Sequence, residues 1–117
     1  MDSEEALACL GALAQATRLE TFRLLVRHEP AGLPAGEIAR HLAVPQNTLS
    51  THLAILARAG LLRPARQGRA ILYRAELDRL RAMMLFLAQD CCAGRAELCA
   101  PLIAALLPCC PPQKAAP

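Results

Sequence analysis

The chain has 117 residues, a formal net charge of +3 at pH 7, and a composition that is 55% hydrophobic but only 3% aromatic. A length of this order suits one compact domain and excludes a second catalytic domain, and no apolar stretch approaches the ~20 residues that a membrane-crossing helix requires. With 24 Ala and 22 Leu, both strong helix formers, the expected protein is mostly helical.

The acidic opening Met1-Asp2-Ser3-Glu4-Glu5 is unlike a secretory leader, which begins basic and turns apolar, so the expected location is the cytoplasm. In that reducing compartment, six cysteines are expected as thiols, ligands or sensors rather than structural disulfides. From Glu4 to Ala14, Leu7, Leu10 and Leu13 recur at helical spacing, with acids in the first turn where the helix dipole favours them. Thr17 is read as the N-cap of a second helix, with Glu20 three residues on, and Leu19, Phe22, Leu25 and Val26 share a face. It stops near Pro30-Ala31-Gly32. A short helix is predicted over Ala35–Leu42, with Ile38 and Leu42 four apart. After Ala43-Val44, Pro45 opens a further helix that runs to about Ala59 and closes on Gly60.

Two short helices joined by a tight turn, the second opening on polar side chains, have the organisation of a helix-turn-helix. Leu49, Leu53 and Leu56 fall on one face of the second helix and are assigned inward, which leaves Gln46, Asn47, Thr48, Ser50, Thr51 and His52 for its other faces. Beyond Gly60, the runs Leu61–Arg66 and Arg69–Arg74 around Gln67-Gly68 predict a two-stranded β-hairpin, and Pro64 confines its strand to an edge. A cationic hairpin in that place is a wing. The helical period returns from Glu76 through Leu77, Leu80, Met84 and Leu87 to a stop at Asp90-Cys91-Cys92-Ala93-Gly94, and a last short helix is predicted over Glu97–Leu107. Residues 1–108 are thus expected as one winged helix-turn-helix domain, and residues 109–117, rich in Pro and Cys, as a poorly ordered tail.

Charge is distributed unevenly along this order. Residues 1–37 carry a net −3, residues 38–75 carry six Arg and no acid, and the remainder is balanced. A 38-residue cationic block in a nearly neutral chain is the footprint of phosphate contact, the plainer alternative being a solubilising face. Base edges in the major groove are read by short polar side chains: Asn and Gln pair with adenine, Ser and Thr with several edges, and His reaches base or phosphate. Residues 46–52 supply all of these, although an ordinary amphipathic surface helix has the same pattern. At the hairpin tip, Arg66 and Arg69 are assigned to a neighbouring phosphate or the minor groove, for positioning rather than specificity. The partner is then double-stranded DNA, and the alternative is a winged-helix module that binds protein.

Cys91, Cys92 and Cys99 form a second constellation. Thiolates are soft ligands, and a vicinal pair with a third cysteine within eight residues suits an ion that takes three sulfurs in a pyramid, such as arsenic(III) or antimony(III). Structural zinc prefers Cys-x-x-Cys pairs and four ligands, which this spacing does not offer. One continuous helix from 92 to 99 would separate those sulfurs by ~10 Å along the axis, so the chain turns, as Gly94 permits, or a partner subunit supplies the third thiolate. Two other uses stay open: a redox pair between Cys91 or Cys92 and Cys99, and burial as small hydrophobes. Cys9 is assigned to a core or interface, no role is given to Cys109 and Cys110, and His28, His41 and His52 lack a second ligand at helical spacing. An oxyanion-handling enzyme loop of the Cys-x5-Arg kind is absent, since no cysteine has Arg six positions later.

The order helix, helix, helix-turn-helix, wing, helix resembles the ArsR/SmtB family of arsenic- and metal-responsive repressors over about residues 4–100. So do Leu13-Ala14-Gln15-Ala16-Thr17-Arg18-Leu19 and Pro45-Gln46-Asn47-Thr48-Leu49-Ser50-Thr51-His52-Leu53. Cys91-Cys92 with Gly94 and Cys99 looks like the branch whose arsenic site lies at the end of the final dimerisation helix. The resemblance implies a non-enzymatic homodimer, paired through its N- and C-terminal helices, that leaves operator DNA when trivalent arsenic, antimony or methylarsenite binds. One arsenic branch carries Cys-x-Cys before the recognition helix, where this chain has Gly36-Glu37-Ile38-Ala39. The zinc branches place Asp and His on the last helix; Asp78 is present without the histidines. Ala43 stands where such turns often carry Gly.

Overall fold

A computed structural model describes residues 1–89, 100, 101, 104 and 105. Among residues 1–89 the elements follow in the order α1 (Ser3–Leu13), α2 (Ala16–Arg27), β1 (Leu33–Pro34), α3 (Ala35–Leu42), α4 (Gln46–Arg58), β2 (Leu62–Gln67), β3 (Ala70–Ala75) and α5 (Leu77–Ala88). This is the expected mostly helical winged helix-turn-helix. Residues 1–83 make one compact unit and a second begins at Met84. The end predicted for the last long helix, the 108/109 boundary and the tail lie outside the described residues, as do Cys91, Cys92, Cys99, Cys109 and Cys110.

A reciprocal cap starts α1: the Glu5 backbone N–H donates to Asp2 Oδ1 at 2.8 Å, and the Asp2 N–H donates to Glu5 Oε1 at 2.9 Å. The buried seam of α1 is Ala6, Cys9 and Ala12, whereas Leu7 and Leu10 of the expected leucine stripe are 68% and 38% exposed. Small side chains on that seam let the α1 backbone approach the end of α4, where the Cys9 thiol donates to the Ala59 carbonyl at 3.4 Å. The assignment of Cys9 to the core therefore holds. The N-cap of helix α2 lies two residues before the expected Thr17: it is Gln15, its Oε1 accepting the Arg18 N–H at 2.9 Å. Thr17 lies inside the helix, and its carbonyl accepts the hydroxyl of buried Thr21. Phe22, Leu24 and Leu25 face inward while Leu19 is exposed, so the apolar face is rotated from the predicted one.

The segment between α2 and α3, for which the sequence predicts no element, adds a third strand. Gly32, at φ 76°, lies so close to β3 that a Cβ would come within 2.7 Å of the Tyr73 carbonyl oxygen. Only glycine permits this approach, and it sets Leu33 opposite Tyr73 and Pro34 opposite Leu72. The sheet order is β1-β3-β2, antiparallel throughout. Pro64 therefore sits on an edge strand as predicted. Gly68, at φ 65°, and Arg69 make the two-residue turn between strands that begin and end one residue later than expected.

Ala43 ends α3 in the left-handed region, at φ 57° and ψ 44°, with its N–H directed to the carbonyls of Ala39 and Arg40. The tight turn is thus made without glycine. Leu49, Leu53 and Leu56 of α4 are buried with Ile38, Leu25 and Leu61 in one core. Gly60, at φ 85°, occupies the position after the α4 cap. Helix α5, which the period of Leu77, Leu80, Met84 and Leu87 predicts, buries Met83 in that core; Leu80 packs partly against it, and Leu77, Met84 and Leu87 are exposed.

An L-residue at left-handed angles costs ~1–2 kcal/mol, while glycine adds unfolded-state entropy worth ~0.4–1 kcal/mol. Ala43→Gly is therefore expected to raise stability by about 0.5–1 kcal/mol, and a β-branched Ala43→Val to lower it. Urea unfolding followed by circular dichroism measures both, and a destabilised glycine variant would contradict the strain at this turn.

Candidate nucleic-acid interface

The Leu49/Leu53/Leu56 stripe fixes how α4 is rotated about its own axis. With it buried, Gln46, Asn47, Thr48, Ser50 and Thr51 are exposed and His52 is half-buried. All six residues singled out in the sequence thus lie on one helix, five of them open to a ligand. Their hydrogen bonds define what remains available. Ser50 Oγ donates to the Asn47 carbonyl at 2.8 Å, so its hydroxyl proton is used and its lone pairs stay free to accept. Asn47 Oδ1 accepts the Thr48 N–H at 3.0 Å, which leaves the Asn47 amide NH2 as a donor. No side-chain cap closes the start of α4 at Pro45, and no acid occupies its first turn. Its positive end therefore faces outward uncompensated, a favourable setting for phosphate.

The six arginines of the acid-free block divide into two groups. Arg74 is bound to Glu29, Nη2 to Oε1 at 3.0 Å and Nε to Oε2 at 3.3 Å, and this hydrogen bonding raises its pKa above the ordinary guanidinium value. Arg40 pairs with Glu37 at 2.8 Å. Arg58 lines a shallow apolar groove of ≈ 240 Å³ with Leu7, Ala8, Gly11 and Ile55. Arg63, Arg66 and Arg69 are exposed on the hairpin and make no ion pair among the described residues. The unspent charge of the block is thus on the wing and on Arg58 at the end of α4, which likewise makes no ion pair among the described residues. Arg66 and Arg69 match the sequence assignment; Arg63 joins them, and its place in the acid-free run already signalled it.

Arg18 is the residue that sequence reading missed. From the first turns of α2 its Nε–H donates to the Ala12 carbonyl at 2.6 Å, and Nη1 lies 3.4 Å from His52 Nδ1 on α4. Composition offers no signal for that pairing, because 34 residues separate the partners.

His28 and His41, distant in sequence, stand edge to face with ring centroids 5.7 Å apart. Among the described residues no three His, Cys, Asp or Glu side chains are grouped to hold a metal. No helix of the described residues is long and apolar enough to cross a membrane.

This arrangement agrees with known proteins. Residues 13–65 match a family model described as a helix-turn-helix domain. Over 83 residues the chain is 31% identical to the transcriptional activator HlyU of Vibrio cholerae, covering 71% of this chain and 74% of HlyU. An ArsR-like transcriptional regulator from Rhodococcus superposes with a TM-score of 0.68 at 28% identity, over 87% of this chain and 90% of that one. The homodimeric winged helix-turn-helix domain of Mycobacterium bovis Mb0332 gives 0.61 at 26% identity, over 74% and 81%. A possible transcriptional regulator for arsenical resistance gives 0.55 at 30%, over 69% and 84%. With an exposed polar α4 beside a cationic wing and relatives of this kind, the chain belongs to the ArsR family of winged-helix DNA-binding transcriptional regulators.

Proposed function

We propose that the protein is an arsenic(III)-responsive repressor that holds operator DNA as a cytoplasmic homodimer and releases it when arsenic(III), or antimony(III), binds Cys91, Cys92 and Cys99. The observation that carries this reading is the cysteine pattern itself: a vicinal pair three residues beyond the end of α5, followed by a third thiol. Three soft sulfurs match the three-coordinate demand of a trivalent metalloid. Each As–S bond replaces an As–O bond of arsenous acid, and the thiol protons leave in three waters. The likeness to a possible regulator for arsenical resistance supports the same ligand, and the homodimeric Mb0332 domain supports pairing of two chains. The exposed Leu7 and Leu10 on α1 provide an apolar surface suited to that pairing.

In the proposed complex the two α4 helices enter successive major grooves ~34 Å apart. Asn47 and Gln46 read adenine edges, Thr48, Ser50 and Thr51 read neighbouring edges or the backbone, and Arg66 and Arg69 hold phosphates beside them. Ligand capture beyond α5 acts on a helix whose first turns are tied to α4: Arg79 Nε donates to the Ala59 carbonyl at the α4 C-terminus, at 3.1 Å. A coupling of about 1–3 kcal/mol per site is typical of such linkage.

Cys91→Ser and Cys92→Ser are expected to bind DNA as the wild type does and to lose release by arsenite. The checking measurement is fluorescence anisotropy on a duplex that the wild-type protein enriches from a randomised pool. Intact-protein mass spectrometry should show one arsenic gained and three protons lost per chain. Release that persists in both variants removes the site, and release by mild peroxide without any response to arsenite assigns the thiols to a redox pair. On the same duplex, Asn47→Ala should cost ~1–3 kcal/mol and relax preference at one base position, whereas Arg66→Ala should weaken all sequences alike and lower the salt slope by about 1.

A further inference from the structure

Arg18 presents an electrostatic problem that the fold itself leaves open. The residue is half-buried, yet no carboxylate lies within 4.0 Å of its guanidinium among the described residues. Its assigned side-chain partners are the neutral Ala12 carbonyl and the His52 ring. A partly desolvated cation without a counter-ion is costly, and this one sits beside the recognition helix. The second observation concerns the ring. Guanidinium only donates, so His52 Nδ1 must accept, and a neutral imidazole that accepts at Nδ1 carries its proton on Nε2. That Nε2–H has no hydrogen-bond partner among the described residues. A cation lacking an anion and a donor lacking an acceptor therefore lie together, next to exposed Ser50 and Thr51.

We propose that Arg18 and His52 form one phosphate-binding element: Arg18 holds His52 in its Nε2–H tautomer, and that N–H donates to a DNA phosphodiester oxygen whose charge the guanidinium balances. This rests on the DNA-binding reading of α4 and adds a backbone contact carried from α2. Arg18 acts on the ring as a positioning residue; His52 makes the contact. The bond from Arg18 Nε to Ala12, at the end of α1, anchors the guanidinium so that the ring meets a fixed donor. Tautomer and contact belong together, because the opposite tautomer would turn a lone pair toward the phosphate and repel it.

Long-range proton–nitrogen NMR on the full chain reads the tautomer directly. Wild type is expected to show His52 with Nδ1 unprotonated and Nε2 protonated, and Arg18→Met, which keeps the alkyl stem, a mixture of both forms. On a duplex enriched from a randomised pool and on a scrambled duplex alike, Arg18→Met and His52→Phe should each weaken binding about tenfold or more. The double variant should be little worse than the weaker-binding single, and the salt slope should fall by about 1 for Arg18→Met only. Arg18→Lys, which keeps the charge, should restore the slope and only part of the tautomer preference. An unchanged single Nε2–H tautomer in Arg18→Met, losses that multiply in the double variant, or losses confined to the enriched duplex would each overturn the proposal. A wild-type protein that enriches no duplex overturns the DNA-binding reading first, and the tautomer measurement still reports whether Arg18 orients the ring.

Discussion

Burial of Leu49, Leu53 and Leu56 against Leu25, Ile38 and Leu61 is the constraint from which the functional surface follows. A helix has one free rotation about its axis, and a three-residue apolar stripe removes it. Once these leucines are inside, residues 46, 47, 48, 50 and 51 have nowhere to go but outward. Each fully buried leucine contributes ~1.5–3 kcal/mol, so a different rotation would forfeit several kcal/mol and no polar contact within the protein would replace it. The turn before α4 tolerates a strained Ala43 because the helices on either side are held by the same core.

Charge is sorted by the fold as well as by the sequence. The acidic N-terminal third and the cationic block meet at two places, Glu29 with Arg74 and Glu37 with Arg40. The first is the more enclosed and ties the end of α2 to β3, beside the close approach at Gly32. Together these contacts fix the pitch of the hairpin relative to α2. Arg63, Arg66 and Arg69 keep their charge for a ligand because no carboxylate comes within 4.0 Å of them among the described residues. Exposed pairs such as Glu37–Arg40 are worth little to stability; their effect here is to narrow the positive surface to α4 and the wing.

Features set by local chemistry were legible in the sequence, and those set by long-range packing were not. Pro45, Gly60, Pro64 and Gly68 mark boundaries and an edge that the structure bears out, because each acts through its own backbone angles or its missing N–H. The polar face of α4 was readable because its leucine spacing is unambiguous. On α1 and α5 leucine spacing marks the helices but not their inward faces, since leucines outnumber the inward positions and the buried seams are Ala6, Cys9, Ala12 and Met83, with Leu13 and Leu80 partly packed against the core. Periodicity cannot separate a face that packs within the chain from one left for another molecule. Strand β1 depends on how near Gly32 comes to Tyr73, and the Arg18–His52 pair on the packing of α2 against α4. Neither is encoded within any short window.

At its C-terminus α4, the recognition helix, is joined to α1 and α5. Carbonyls at a helix end lack intrahelical partners, and that of Ala59 accepts both the Cys9 thiol and the Arg79 guanidinium. Arg79 also reaches Glu5 at 3.6 Å, so α1, the start of α5 and the end of the recognition helix share one set of polar contacts. Gly60 is part of that arrangement: a Cβ there would lie 2.8 Å from Arg79 Nε. A displacement of α1 or of the first turns of α5 cannot leave α4 untouched, because Ala59 would lose one of its two donors, a hydrogen bond worth ~0.5–1.5 kcal/mol. That overlaps the lower end of typical allosteric couplings, ~1–3 kcal/mol. Any ligand that moves the helices flanking this junction therefore has a direct mechanical route to the surface that reads DNA, without a rearrangement of the core.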